Sequence, residues 1–148
     1  MAAGDLSFAL VASRFNPEIV DALIEGAVEA LKRHGARPER MEIVRVPGAY
    51  DIPVVARKLA LSQRFDALIA LGAVVRGDTP HFDYVAGECA AGLTRIALDT
   101  GVPIAFGVLT TDTMAQALER AGGSAGNKGA DAALAALELA NVLKGLDA

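Results

Sequence analysis

Ala67-Leu68-Ile69-Ala70-Leu71-Gly72-Ala73-Val74-Val75 runs without a polar residue and ends at Arg76-Gly77-Asp78-Thr79-Pro80-His81. An unbroken apolar run of strand length is the pattern of a central parallel strand covered on both faces, because a half-exposed strand alternates instead. The turn after it reads as a helix start. Thr79 suits the cap and Pro80 the first helical position, which sets His81 in the first turn. A strand feeding straight into a helix is half of a β-α-β unit.

Working outward, the same alternation recurs. Upstream, Leu6–Ala12 reads as a first strand, followed by Asn16-Pro17-Glu18 as cap, first-position proline and first-turn acid. The next helix carries Ile19, Leu23, Ala27, Ala30 and Leu31 on one face and ends near His34-Gly35, with His34 as a C-terminal capping cation. Met41–Val46 is a second strand closed by Pro47-Gly48, and a helix from Ile52 to Gln63 tolerates Pro53 in its first turn. Downstream, the Thr79-Pro80 helix lasts to Asp99 and Pro103–Leu109 is the fourth strand. Helices over Thr111–Ala121 and Gly129–Lys144 follow, joined by a loop at Gly122–Lys128. The order β-α-β-α-β-α-β-α-α predicts a parallel sheet with helices on both faces, and ligands in such folds gather at the carboxyl ends of the strands.

The bulk properties narrow the classes. A chain of 148 residues is the size of one domain. Its apolar content of 53% and mean hydropathy of +0.36 exceed what a small interior needs. They fit either an alanine-rich core or, the favoured reading, apolar surface buried against other subunits. The net charge of −4, from 14 basic and 18 acidic residues without blocks, argues against nucleic-acid binding. No apolar run approaches the roughly 20 residues a membrane helix requires. The start of the chain lacks a signal-peptide pattern. The single cysteine, Cys89, excludes an internal disulfide and a multi-cysteine metal site, so the cytoplasm is the expected compartment.

Aromatic residues make up only 5% of the chain, so each ring's position is informative. Phe15 and Tyr50 follow the first and second strands, and Phe106 lies in the fourth as core filler or pocket wall. Phe15, between Arg14 and Asn16, suits stacking on a flat heterocycle. At Arg76–His81 the free backbone N–H groups of a helix start attract an anion, phosphate being the obvious one. The same field disfavours a protonated imidazole, which suits His81 to proton transfer, although a surface histidine at a helix start is common. The Arg-Gly-Asp triplet there also spells an adhesion tripeptide, a coincidence in a cytoplasmic chain. Arg120 and the glycine-rich run to Lys128-Gly129 form a second anion-binding candidate or a flexible connection, without the Walker A order. Cys89 reads as a small packed residue. Asp51 and Asp131 are each either a helix-start residue or a ligand to hydroxyls.

Taken together, Ser13-Arg14-Phe15-Asn16, Pro47-Gly48-Ala49-Tyr50-Asp51-Ile52-Pro53, Gly72–His81 and Ala125-Gly126-Asn127-Lys128-Gly129 resemble the lumazine synthases over essentially the whole chain. The resemblance implies a flavodoxin-like three-layer α/β sandwich with a four-stranded parallel sheet. It also implies condensation of 5-amino-6-(D-ribitylamino)uracil with 3,4-dihydroxy-2-butanone 4-phosphate, without metal or organic cofactor. The partners implied are the small-molecule substrates and further copies of the chain, in a homopentamer or a multiple of it, with active sites between subunits; no nucleic acid or membrane is involved.

Carried onto this sequence, the resemblance gives Phe15 a stacking role. Ala49, Tyr50 and Asp51 would bind the uracil and ribityl chain, with the Asp51 carboxylate on hydroxyls, and Ala73, Val74 and Val75 would line the ring. Asp78 and Thr79 would hold the phosphate through backbone amides, and His81 would be the general acid/base. From the neighbouring subunit, Phe106 would close the pocket, Arg120 would clamp phosphate and Lys128 would approach the heterocycle. Tyr50 and Asp51 stand where many relatives carry Phe and Glu, and Ser124 where shell-forming relatives often carry Lys, which leaves an icosahedral assembly open. A lumazine- or flavin-binding paralogue, or a shell protein with little turnover, is the alternative.

Overall fold

The computed structural model describes residues 2–77 and 81–147, and its four long strands form one parallel sheet in the order β2-β1-β3-β4. These are β1 (Phe8–Ser13), β2 (Met41–Val46), β3 (Ala67–Val75) and β4 (Ile104–Thr111). The helices are α1 (Pro17–Arg33), α2 (Ile52–Leu61), α3 (His81–Thr100), α4 (Met114–Glu119) and α5 (Lys128–Asp147). The order of elements is the expected one, and the three-layer α/β sandwich follows from it.

The sheet's two faces are sorted by the period-two alternation of strands. From β1, Phe8, Leu10 and Ala12 join a core with α1 and α5, whereas Ala9 and Val11 join another with α2 and α3. β3 divides in the same way, with Ile69 and Leu71 toward α1 and α5 and Leu68 and Ala70 toward α2 and α3. Each fully buried Leu or Ile contributes about 1.5–3 kcal/mol, which is why the continuous apolar run can tolerate only this position in the sheet.

Two local expectations change. Thr111 ends β4 rather than opening a helix, because β4 pairs with β3 residue for residue from Leu68↔Ile104 to Val75↔Thr111. The helix start moves to Thr113, whose hydroxyl accepts from the Gln116 N–H at 3.1 Å while Gln116 Oε1 accepts from the Thr113 N–H at 3.3 Å. This reciprocal cap satisfies two donors that a start at Thr111 would leave free. The glycine-rich loop contains a small antiparallel hairpin of β5 (Ala121–Gly123) and β6 (Gly126–Asn127). His34 does cap its helix: the ring Nδ1 donates to the Ala30 carbonyl at 2.9 Å.

Cys89 is fully buried in α3 as a packed small residue, and burial pushes its thiol up to about 11. The unfolded chain therefore releases this proton first, near the ordinary value of 9.0, and stability falls as pH rises from there toward 11. Urea midpoints across that window should drop more steeply in the parent protein than in Cys89→Ala. Equal slopes would mean that the thiol is not desolvated in solution.

Candidate active site

The strand order reverses at β1 and β3, so their carboxyl ends diverge into neighbouring connections and leave a crevice. A groove of about 290 Å³ opens there, lined by Phe15, Asn16, Gly48, Ala49, Tyr50, Ala73, Val74, Val75, His81 and Val85. Seven of the residues singled out above are thus brought together. Phe15 and Tyr50 are 66% and 62% exposed, so neither is core filler. Both rings line the groove and are open to stacking by a flat ligand.

Local bonding explains how Phe15 comes to stand there. The Arg14 and Phe15 N–H groups donate to the Val46 and Pro47 carbonyls at 2.7 and 3.2 Å, extending the β1–β2 ladder past the strand. Asn16 then turns the chain with φ 59° and ψ 59°, a left-handed conformation that asparagine tolerates better than most residues. Its side chain was expected to cap α1 and does not. Instead Nδ2 donates to the Ala73 carbonyl at 3.1 Å, tying the Phe15 turn to the end of β3. Asn16 and Val85 are groove residues that the sequence reading passed over; the asparagine's cap-like setting hid its second use.

His81 is exposed at the first position of α3. The helix start is fixed by Arg76, whose guanidinium donates to Asp112 at 2.8 Å, lies 3.9 Å from Asp83 and stacks 4.4 Å from the Phe82 ring centroid. The Asp112 hydrogen bond, with help from the charges of Asp83 and Asp112, holds the Arg76 guanidinium above its usual value against the desolvation that lowers it. Arg76 thus stays cationic and anchors α3 to the end of β4. Asp78 and Thr79, expected to hold phosphate, lie outside the described residues.

Asp51 takes the helix-start role left open for it. Its Oδ2 accepts from the Gly48 N–H at 2.9 Å, within a 3-10 turn over Ala49–Asp51, and it is not among the groove's lining residues. This bond shapes the Gly48–Tyr50 wall. One carboxylate oxygen remains for another partner.

Phe106, Arg120 and Lys128 are not in this groove. They line a second one of about 470 Å³, which runs from β4 to α5 and includes Asp131. Phe106 is 45% exposed there, a wall rather than core. The Arg120 guanidinium donates to the Gln116 carbonyl at 2.9 Å, and Lys128 Nζ lies 3.8 Å from the Asp131 carboxylate. The two grooves share no lining residue. The first groove caps the strand ends and draws its lining from both sides of the sheet, with Ala73 and Val75 packed toward α1 and α5 and Ala49, Val74 and Val85 toward α2 and α3, whereas the second lies along β4 and α5. Phe106 is level with Ala70, three residues below Ala73 on β3 and so about 10 Å down the strand. Among the described residues, no three His, Cys, Asp or Glu side chains gather closely enough to hold a metal ion, and no helix is long and apolar enough to cross a membrane.

The sequence model of the 6,7-dimethyl-8-ribityllumazine synthases matches residues 5–144. A 6,7-dimethyl-8-ribityllumazine synthase of Nitratidesulfovibrio vulgaris (strain DSM 19637 / Miyazaki F) is 59% identical over 141 residues, which span 95% of this chain and 90% of that protein.

The Asn16 geometry makes a prediction independent of activity. A left-handed alanine costs roughly 1–2 kcal/mol that glycine avoids, so Asn16→Ala should be less stable than Asn16→Gly by about that amount in urea unfolding. Equal stabilities would show that the turn relaxes to another conformation.

Proposed function

The chain belongs to the 6,7-dimethyl-8-ribityllumazine synthase family, and from that premise we propose that its two grooves are complementary halves of one active site, joined when two copies of the chain meet. The protein is a transferase of riboflavin biosynthesis. It condenses 5-amino-6-(D-ribitylamino)uracil with 3,4-dihydroxy-2-butanone 4-phosphate to 6,7-dimethyl-8-ribityllumazine, phosphate and water.

The observation that carries the two-copy reading is the separation of the grooves. Phe15, Ala49, Tyr50 and Ala73–Val75 form an apolar slot suited to a flat pyrimidine, with His81 at its rim, but the slot contains no fixed cation among its lining residues. Arg120 and Lys128 supply cations in the groove that has none of the stacking surface of Phe15. A phosphate ester condensing with a ribitylamino-pyrimidine needs both. The free edge of β4, with exposed Phe106, is the surface through which a second copy contributes them. On this reading the protein works as a homo-oligomer, and its family membership favours a pentamer or a multiple of it, in the cytoplasm.

Each residue's task follows from the chemistry. Phe15 stacks on the pyrimidine while Ala49, Tyr50 and the backbone at Ala73, Val74 and Val75 hold its edge. Asp51 offers its remaining carboxylate oxygen to the ribityl hydroxyls. The Asp78-Thr79 amides and the neighbour's Arg120 hold the phosphate, and the neighbour's Phe106 and Lys128 close over the heterocycle. The 5-amino group attacks the ketone to form an imine with loss of water, and loss of a proton from the neighbouring carbinol carbon expels phosphate to leave an enol. The enol tautomerises to a new carbonyl at that carbon, and the ribityl-bearing amine closes the ring onto it with loss of a second water. His81 takes and returns protons in these steps. No protein nucleophile is required. Holding two reactants in register lowers such a barrier by as much as roughly 7–11 kcal/mol, and a placed acid/base adds about 10²–10⁴-fold.

Mixing the protein with both substrates should yield the lumazine chromophore and phosphate well above the uncatalysed rate; binding without acceleration would point to a binding paralogue. His81→Ala should slow turnover by about 10²-fold or more with pyrimidine affinity nearly intact, and an unchanged rate would remove His81 from the mechanism. Arg120→Ala should mainly raise KM for the butanone phosphate. An equal loss for both substrates would contradict its assignment.

A further inference from the structure

Arg120 and Lys128 lie beside the most glycine-rich part of the chain, where a flexible loop would leave both cations poorly aimed. The structure contains a device that prevents this. Asn127, at the end of β6, uses both ends of its amide: Nδ2 donates to the Ala22 carbonyl of α1 at 3.0 Å, and Oδ1 accepts from the Ala130 N–H at 3.0 Å. The first bond reaches across 105 positions of sequence. The second caps α5.

Two glycines make this close docking feasible. A Cβ on Gly26 of α1 would fall 2.3–2.4 Å from the Asn127 amide group, and a Cβ on Gly129 would fall 2.1 Å from the Leu23 carbonyl oxygen. A side chain at Gly26 would displace the Asn127 amide from its notch, and one at Gly129 would meet the Leu23 backbone and push α5 off α1. Lys128 stands between these two anchors, and its N–H donates to the Arg120 carbonyl at 2.9 Å. The path from α1 to both cations is therefore continuous: Gly26 and Ala22 hold Asn127, Asn127 and Gly129 flank Lys128, and the Lys128 amide holds Arg120.

We infer that Asn127, seated in the Gly26 notch, is a positioning residue that aims the Arg120 and Lys128 groove at the phosphate substrate. This inference rests on the proposed substrate role of Arg120. Helix α1 starts directly after Asn16, so one rod carries the Phe15 turn at its start and the Ala22 anchor about one and a half turns further on. Disturbing the anchor should misalign the cations without touching the stacking slot's own lining.

The test uses the full-length oligomer with Asn127→Asp, which keeps the α5 cap through a carboxylate oxygen but cannot donate to Ala22, and with Asn127→Ser, which also keeps a capping oxygen. Loss of one such hydrogen bond corresponds to about a tenfold effect. In both variants KM for the butanone phosphate should rise by about that factor with a smaller change in kcat, and the Lys128 amide should exchange with solvent faster. A melting midpoint close to that of the parent would separate this from general destabilisation. Combining Asn127→Asp with Arg120→Ala should raise that KM no further than Arg120→Ala alone. Unchanged KM and unchanged Lys128 exchange would overturn the inference, as would additive losses in the double variant. A silent Arg120→Ala would instead overturn the phosphate role of Arg120; faster Lys128 exchange in Asn127→Asp would then still support the anchor, and unchanged exchange would refute it.

Discussion

The burial of β3 on both faces is the constraint from which the rest follows. Its residues Ala67 to Leu71 are fully enclosed between α1 and α5 on one side and α2 and α3 on the other. No polar group can stand within that span without a partner, so the chain's chemistry is driven to the strand's end. There, between the divergent ends of β1 and β3, backbone groups emerge from the sheet and side chains reach solvent. Phe15, Tyr50 and His81 collect at this outlet, while the Asn16 amide fastens the first turn to Ala73. The Arg76 contacts with Asp112, Asp83 and Phe82 fasten the helix that carries His81.

The two grooves are separated along the sheet, one at the carboxyl ends of β1 and β3 and the other along β4 and α5. Arg120 and Lys128 are tied to α1 through Asn127, and the stacking slot opens at the strand ends, beside the start of the same helix. In the proposed arrangement a second copy docks along the β4 edge and covers exposed apolar surface, which the hydrophobic effect favours. The high apolar content and the exposed Phe106, Tyr50 and Phe15 rings are consistent with that arrangement.

Much of this was legible in the sequence where one local signal spoke alone. The continuous apolar run from Ala67 to Val75 and the proline at the start of α1 fixed those boundaries, and β3 begins and ends at the expected residues. The misreadings occurred where two local signals competed or where a distant partner decided. Thr111 looked like a helix start but is paired with Val75 across the sheet, so ladder bonding outweighed capping chemistry. Asn16 had the composition of a cap, and only the proximity of Ala73, 57 positions away, reveals that its amide points elsewhere. Asn127 could not be read at all from its neighbours, since glycines on both sides suggest freedom while α1 supplies the restraint. The division of site residues between subunits came from family resemblance rather than spacing; in the structure Phe106, Arg120 and Lys128 line a groove separate from that of Phe15 and His81.

The central claim is that a working site takes His81 from one copy and Arg120 from the next. Subunit complementation tests it most directly. His81→Ala and Arg120→Ala proteins, each impaired when assayed at low butanone phosphate, should recover activity when co-assembled in equal amounts. If neighbouring copies share each site, about a quarter of the sites in a randomly mixed ring would unite an intact His81 with an intact Arg120. Lumazine formation by the mixture at well above the sum of the separate variants is the expected result. A mixture no more active than that sum, with mixed assemblies verified by native mass spectrometry, would mean that each chain builds its site alone.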